Sequence, residues 1–223
     1  MPKKRNFLFN TSLLLQFFYF CWNLILQMKS QEMQTGLFED MQLIVGNASL
    51  ENLVHQSKDA FQVLNLKKNE FLVKEGEVCR YFCYVESGIL QHEIVINDEE
   101  ITTYLALRNT FTASLNSFLF NKPSRKSIKA IFDCKLLVLD IKTFRELIKT
   151  NEAFHQFYYN LIEKQICLID DYRIDLLTLT PEERYKKLLT TEPHLMQQVP
   201  LHYLASFLGI SSRHMSRIRK NIK

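Results

Sequence analysis

The chain is poor in the residues from which most active sites are built. Its five glycines are spread over 223 residues and form no phosphate-cradling loop. Neither an H-E-x-x-H pair nor a G-x-S-x-G nucleophile elbow occurs, and the six histidines are dispersed. Nucleotide hydrolases, zinc proteases and serine esterases built on those motifs are thereby excluded, and no enzyme is expected. Cysteine is equally uninformative for catalysis. Five cysteines (Cys21, Cys79, Cys83, Cys134 and Cys167) are odd in number and scattered, so no disulfide framework is evident. Cys79 and Cys83 are the only close pair and lack both C-x-x-C spacing and neighbouring ligands, so neither a metal nor another cofactor is expected. Buried, reduced cysteines in a cytoplasmic protein are the reading that fits.

Acidic residues are missing from both ends. Residues 193–223 hold five Lys or Arg and no Asp or Glu, and residues 1–31 hold four and none. The segment between, 32–192, carries 19 basic against 24 acidic residues. A basic tail on an acidic body favours contact with a polyanion through one end.

That tail carries the clearest pattern in the chain. Ala205 precedes Gly209 by four positions, and apolar residues recur at 201, 204, 208, 210, 215 and 218. Two short helices with one shared buried face fit this spacing, with Ala205 at their crossing and Gly209 turning the chain. Ser211 is placed to cap the second helix, which is expected to run to about Asn221. Met215 and Ile218 then face inward, leaving Ser212, Arg213, Ser216, Arg217 and Lys220 outside. A helix pair whose second member is basic reads as a helix-turn-helix that enters a groove of double-stranded DNA. The expected DNA-contacting set is Ser211, Ser212, Arg213, His214, Ser216, Arg217, Arg219 and Lys220, with Arg213 and Arg217 the candidates for base edges. A terminal helix hairpin with a solvated basic face is the plainer alternative.

The start of the chain reads differently. Lys3-Lys4-Arg5 precede an apolar, aromatic run from Phe7 to Leu26 that is broken by Asn10, Thr11, Ser12, Gln16 and Asn23. A membrane anchor, an unstructured leader, and a true start at Met28 or Met33 all remain open for residues 1–34. With an anchor, the whole would be a membrane-tethered ligand- or protein-binding module.

Between the ends the hydrophobic period changes twice. Helical spacing over 35–53 gives way at Phe61 to short apolar runs: 61–66, 71–73, 81–85, 89–96, 101–107, 128–132 and 136–140. Turn residues separate them, Gly76 and Gly88 among them, and Asn97-Asp98 marks a hairpin. Such a series predicts an antiparallel barrel or sandwich. Helical spacing returns near Thr143 and dominates from Glu152 to about Leu177, with an apolar stripe that includes Phe154, Phe157, Leu161, Ile169, Tyr172 and Leu176. The stripe is wide enough to cover both its own barrel and a twin helix, which predicts a homodimer. A helix packed only on its own core is the alternative. Thr180-Pro181-Glu182-Glu183 restarts a helix and marks the last domain.

In this order, the strings Phe71-Leu-Val-Lys-Glu-Gly76-Glu, Tyr84-Val-Glu-Ser-Gly88, Pro123-Ser-Arg-Lys-Ser127-Ile, Thr180-Pro-Glu-Glu-Arg-Tyr and Leu204-Ala-Ser-Phe-Leu-Gly-Ile-Ser resemble the Crp/Fnr family of bacterial transcription regulators. Two of them look especially like a Bacteroidetes-type subgroup. The resemblance spans about residues 35–223. It implies an α+β chain: a leader (1–34), a cyclic-nucleotide-binding-like antiparallel β-roll as sensor (35–150), a long dimerisation helix (151–178) and a helix-turn-helix (179–223). It also implies RNA polymerase as a further partner. In the family a Gly-Glu pair and a following Arg hold a cyclic nucleotide. The corresponding stretch here, Thr110 to Leu115, has neither Gly nor Glu, which argues against a cyclic nucleotide. Ser114, Arg125 and Ser127 are the residues left for an effector, with Lys126 between the last two. The base-reading positions depart too, because Arg217 alone matches a family reader.

Overall fold

The computed structural model describes residues 58–221, all within one unit that spans Thr35–Lys223. The leader, Cys21 and the helix expected over 35–53 lie outside the described residues. After a single 3-10 turn (Lys58–Ala60) come strands β1 (Gln62–Leu66), β2 (Phe71–Val73), β3 (Tyr81–Ser87), β4 (Leu90–Ile96), β5 (Glu99–Ala106) and β6 (Phe111–Thr112). A short helix, α1 (Leu115–Phe120), separates these from β7 (Ser127–Ala130) and β8 (Cys134–Asp140). The rest is helical: α2 (Ile141–Thr150), α3 (Glu152–Thr178), α4 (Pro181–Thr191), α5 (Pro193–Gln198), α6 (Leu201–Phe207) and α7 (Ser212–Asn221).

The strands form two antiparallel four-stranded sheets, in the orders β1-β8-β3-β6 and β2-β7-β4-β5. Non-consecutive neighbours make this a roll rather than a meander. The β4–β5 hairpin turns on Asn97 (φ 51°) and Asp98 (φ 64°), two residue types that tolerate the left-handed region a tight hairpin demands. Gly88 joins β3 to β4 at φ 88°, where a Cβ would meet the Asp133 carbonyl oxygen at 2.5 Å. Only glycine fits there.

Two apolar cores result. The first fills the roll and is built on aromatic rings. Phe82 lies 5.1 Å from both Phe111 and Phe144, and Phe157 lies 4.9 Å from Phe111, so α2 and the first turns of α3 close the roll. The second core joins Ile89, Leu105, Leu107 and Ile131 of the roll to the C-terminal helices, including Leu195, Leu204, Met215 and Ile218. The C-terminal helices are therefore seated on the roll.

Local signals account for most helix starts. Asp140 accepts the Lys142 and Thr143 amides, Asn151 the Phe154 amide, and Thr180 with Glu183 forms a full capping box ahead of Pro181. Three short elements escape the sequence pattern: β6, α1 and α5. The strand expected over 128–132 ends at Ala130, and Phe132 is partly exposed. Cys79, Cys83 and Cys134 are buried, and burial pushes their thiols up. Cys167 departs from expectation and lies exposed on α3. Among the described residues no helix is long and apolar enough to cross a membrane.

Candidate nucleic-acid interface and sensor cavity

The C-terminal pair is built as its spacing requires. Helix α6 ends in a Schellman turn: Ile210 donates its amide to the Ala205 carbonyl and Gly209 to that of Ser206, both at 3.0 Å. Gly209 takes φ 69°, and Ala205 is buried at the helix crossing. Ser211 then caps α7 by accepting the His214 amide at 3.2 Å. Leu204, Leu208, Met215 and Ile218 seal the interior.

Seven of the eight expected DNA-contacting residues lie exposed: Ser211, Ser212, Arg213, Ser216, Arg217, Arg219 and Lys220. Arg213, Arg217 and Lys220 share one face of α7, with Ser216 beside them, whereas Arg219 falls on the other shoulder. The Ser216 hydroxyl bonds back to the Ser212 carbonyl at 2.9 Å. His214 is engaged elsewhere, since its Nε2 lies 3.1 Å from Glu182 Oε1 in α4. The Glu182 carboxyl sits below its usual range through a backbone amide and His214.

Two residues that sequence reasoning passed over fix this pair to the rest. Tyr172, assigned above to the stripe on α3, stacks on Phe207 at 5.6 Å and donates its hydroxyl to the Phe207 carbonyl at 3.2 Å. Arg184 donates to the Leu208 carbonyl at 3.0 Å and reaches the Leu176 and Leu179 carbonyls at 3.4 Å. Both contacts span long sequence separations, and nothing local announces them.

The second feature is a cavity of about 700 Å³ between the roll, α1 and α3. Phe82, Phe111, Leu115, Leu161 and Ile162 give it apolar walls, and Gln165 of α3 reaches it as well. Ser114 and Arg125 line it as expected, but Ser127 does not: its hydroxyl accepts the Glu75 amide at 3.0 Å. The Ser114 hydroxyl is paired with that of Ser124 at 2.7 Å. Lys126, read above only as a residue between two candidates, lines the cavity, and burial holds its ammonium below the ordinary lysine value. His92 is almost fully buried there. Its Nε2 pairs with the Thr112 hydroxyl at 2.7 Å, and its Nδ1 has no hydrogen-bond partner. Burial, assisted by the Lys126 charge, pushes His92 well below its ordinary value.

One strand connects cavity and helix pair. Thr103 and Tyr104 of β5 line the cavity. The adjacent Thr102 donates its amide to the Ser206 hydroxyl of α6 at 2.8 Å, and Ser206 bonds the Glu100 carbonyl at 3.2 Å. Leu105 enters the shared core.

Residues 63–151 match the model of the cyclic nucleotide-binding domain. Among solved structures, the chain is similar to CooA from Carboxydothermus hydrogenoformans, with a TM-score of 0.63 at 16% identity over 81% of this chain and 86% of that one. A transcriptional regulator assigned to the Crp/Fnr family from Eubacterium rectale aligns with a TM-score of 0.57 at 16% identity, covering 74% and 79%. The catabolite activator protein of Thermus thermophilus aligns at 0.51 and 19% identity, covering 80% and 85%. No curated protein sequence matches the chain. These likenesses carry the fold.

Proposed function

We propose that the chain is a DNA-binding transcription regulator of the Crp/Fnr type, a homodimer whose β-roll senses a small molecule. One observation carries the reading: a Schellman-turned helix pair that presents Arg213, Arg217 and Lys220 together on the exposed face of a helix free of acidic residues. Arg213 and Arg217, one turn apart, are suited to guanine edges, and Lys220 with the serines to phosphates. The like fold of the Thermus thermophilus catabolite activator protein and of the Eubacterium rectale regulator supports the same reading.

The dimer rests on α3. Tyr159, Ile166, Ile169, Leu176 and Leu177 are exposed on that helix, and 159, 162, 166, 169, 173 and 176 alternate in steps of three and four. Such a seam suits a twin helix. Two copies would bring two α7 helices to half-sites about 34 Å apart, one turn of DNA. The shared strand β5 gives an occupied cavity a direct mechanical route to α6. The protein would then act in the cytoplasm on DNA, with RNA polymerase as the downstream contact, and without catalysis.

Selection of fragmented genomic DNA by the full chain tests this and returns the operator. A recurrent two-fold symmetric sequence is expected. Recovery of random fragments, or of none at low salt, would count against the reading.

A further inference from the structure

The cavity is lined by a lysine whose charge no described residue pairs. One lysine lies within β7 and another just before it, and the roll treats them oppositely. Lys129 is nearly buried, and its ammonium meets Glu93 at 2.9 Å and Glu100 at 2.8 Å, a compensated structural site. Lys126, three residues earlier, lines the cavity, and among the described residues no carboxylate, hydroxyl or carbonyl bonds its ammonium. Lys122 and Arg125 line the same cavity, and among the described residues no Asp or Glu does. A half-buried cation with no partner is costly unless something arrives to neutralise it.

The remaining walls describe what arrives. Leu115, Leu161 and Ile162 give the space an apolar body, while the orphaned Nδ1 of buried His92 supplies a neutral polar contact. About 700 Å³ suits a single small molecule. A cyclic nucleotide needs an acceptor for its ribose hydroxyl, and among the described residues no carboxylate lines the cavity to provide one.

We propose that the roll cavity binds a small organic monoanion, a carboxylate on an apolar aromatic or aliphatic body, whose charge is met by Lys126 and not by Arg125. The inference rests on reading the roll as a sensor and gives that sensor its ligand class. The exposed Arg125 is free to stay in water, whereas the ammonium of Lys126, unpaired among the described residues, gains a partner from the ligand.

Calorimetric titration of the full chain with four carboxylates (benzoate, 1-naphthoate, indole-3-acetate and decanoate) and their neutral amides tests this directly. At least one carboxylate should bind more tightly than its amide. Lys126→Met should weaken that carboxylate at least tenfold and leave the amide unchanged. Arg125→Met should change it less than threefold, and Lys126→Arg should restore most of the loss. Thermal midpoints of the variants guard against misfolding. Absence of binding by all four carboxylates at millimolar concentration would overturn the proposal. So would an unchanged carboxylate affinity in folded Lys126→Met, or displacement of the carboxylate by cyclic AMP. DNA binding is measured separately: Arg213→Ala with Arg217→Ala should weaken it at least about thirtyfold and leave carboxylate affinity intact, so the two readings fail independently.

Discussion

His92 sits almost sealed from water at the floor of the cavity, with one ring nitrogen on Thr112 and the other on nothing. Burial and the nearby Lys126 ammonium hold its folded-state pKa well below the ordinary 6.5. In the window between that lowered value and 6.5, the unfolded chain takes up a proton that the folded chain refuses. The His92 contribution is therefore neutral above pH 6.5 and becomes destabilising as pH falls through the window, by at most about 1.4 kcal/mol per unit. Urea unfolding of wild type and His92→Gln at pH 7.5 and 5.5 should show a smaller loss on acidification in the variant. Equal losses would mean that His92 does not sense pH. Two glycines offer a second residue-scale contrast. At Gly209 a Cβ meets nothing within 4 Å, so Gly209→Ala should cost only the left-handed backbone penalty, about 1–2 kcal/mol. At Gly88 the Cβ would also strike the Asp133 carbonyl at 2.5 Å and the Cys134 backbone at 2.8 Å. Gly88→Ala should be clearly the more damaging in the same assay, because the obstacle is backbone.

Among the elements, α3 carries two different surfaces. Phe154, Phe157 and Leu161 bury its first turns in the roll, whereas Ile166, Ile169 and Leu177 are left in water. Charges placed on the exposed seam should leave the fold alone and separate the subunits of the proposed dimer. Ile166→Glu with Ile169→Glu should therefore convert a dimer to a monomer by sedimentation, with an unchanged circular dichroism spectrum. A variant that sediments like wild type would remove the seam from the interface. The width of this stripe was legible in the sequence, because helical periodicity over 27 residues is a strong signal. What each part of it touches was not. Tyr172 reads like its apolar neighbours, yet it holds the end of α6 through Phe207. The helix pair was legible almost to the residue, since Ala205, Gly209 and Ser211 act within a few positions of one another. The two-residue β6 and six-residue α1 and α5 are too short for any period to declare them. In the cavity, a string of polar residues at 124–127 does not reveal which side chain turns inward. Only the pairing of β7 with β2 and β4 decides that Ser127 faces Glu75 and that Lys126 lines the cavity.

In the whole molecule, the roll and the helix pair share both a core and a strand. Ile89, Leu105, Leu107 and Ile131 of the roll pack in one cluster with Leu204 and Met215. Strand β5 lines the cavity through Thr103 and Tyr104, and its Thr102 amide holds Ser206 of α6. In the proposed reading, a ligand that shifted Tyr104 by a fraction of an ångström would strain a hydrogen bond at the root of the helix pair and so pass a small binding event to α7. That passage matters only if α7 reads DNA. The most direct test is a fluorescence anisotropy titration of the duplex recovered by genomic selection, with wild type and with Arg213→Ala plus Arg217→Ala. Loss of two base-reading arginines, at about 1–3 kcal/mol each, predicts an affinity at least about thirtyfold weaker, with the fold intact. A folded double variant that binds the duplex as tightly as wild type would contradict the assignment of α7 as the recognition helix.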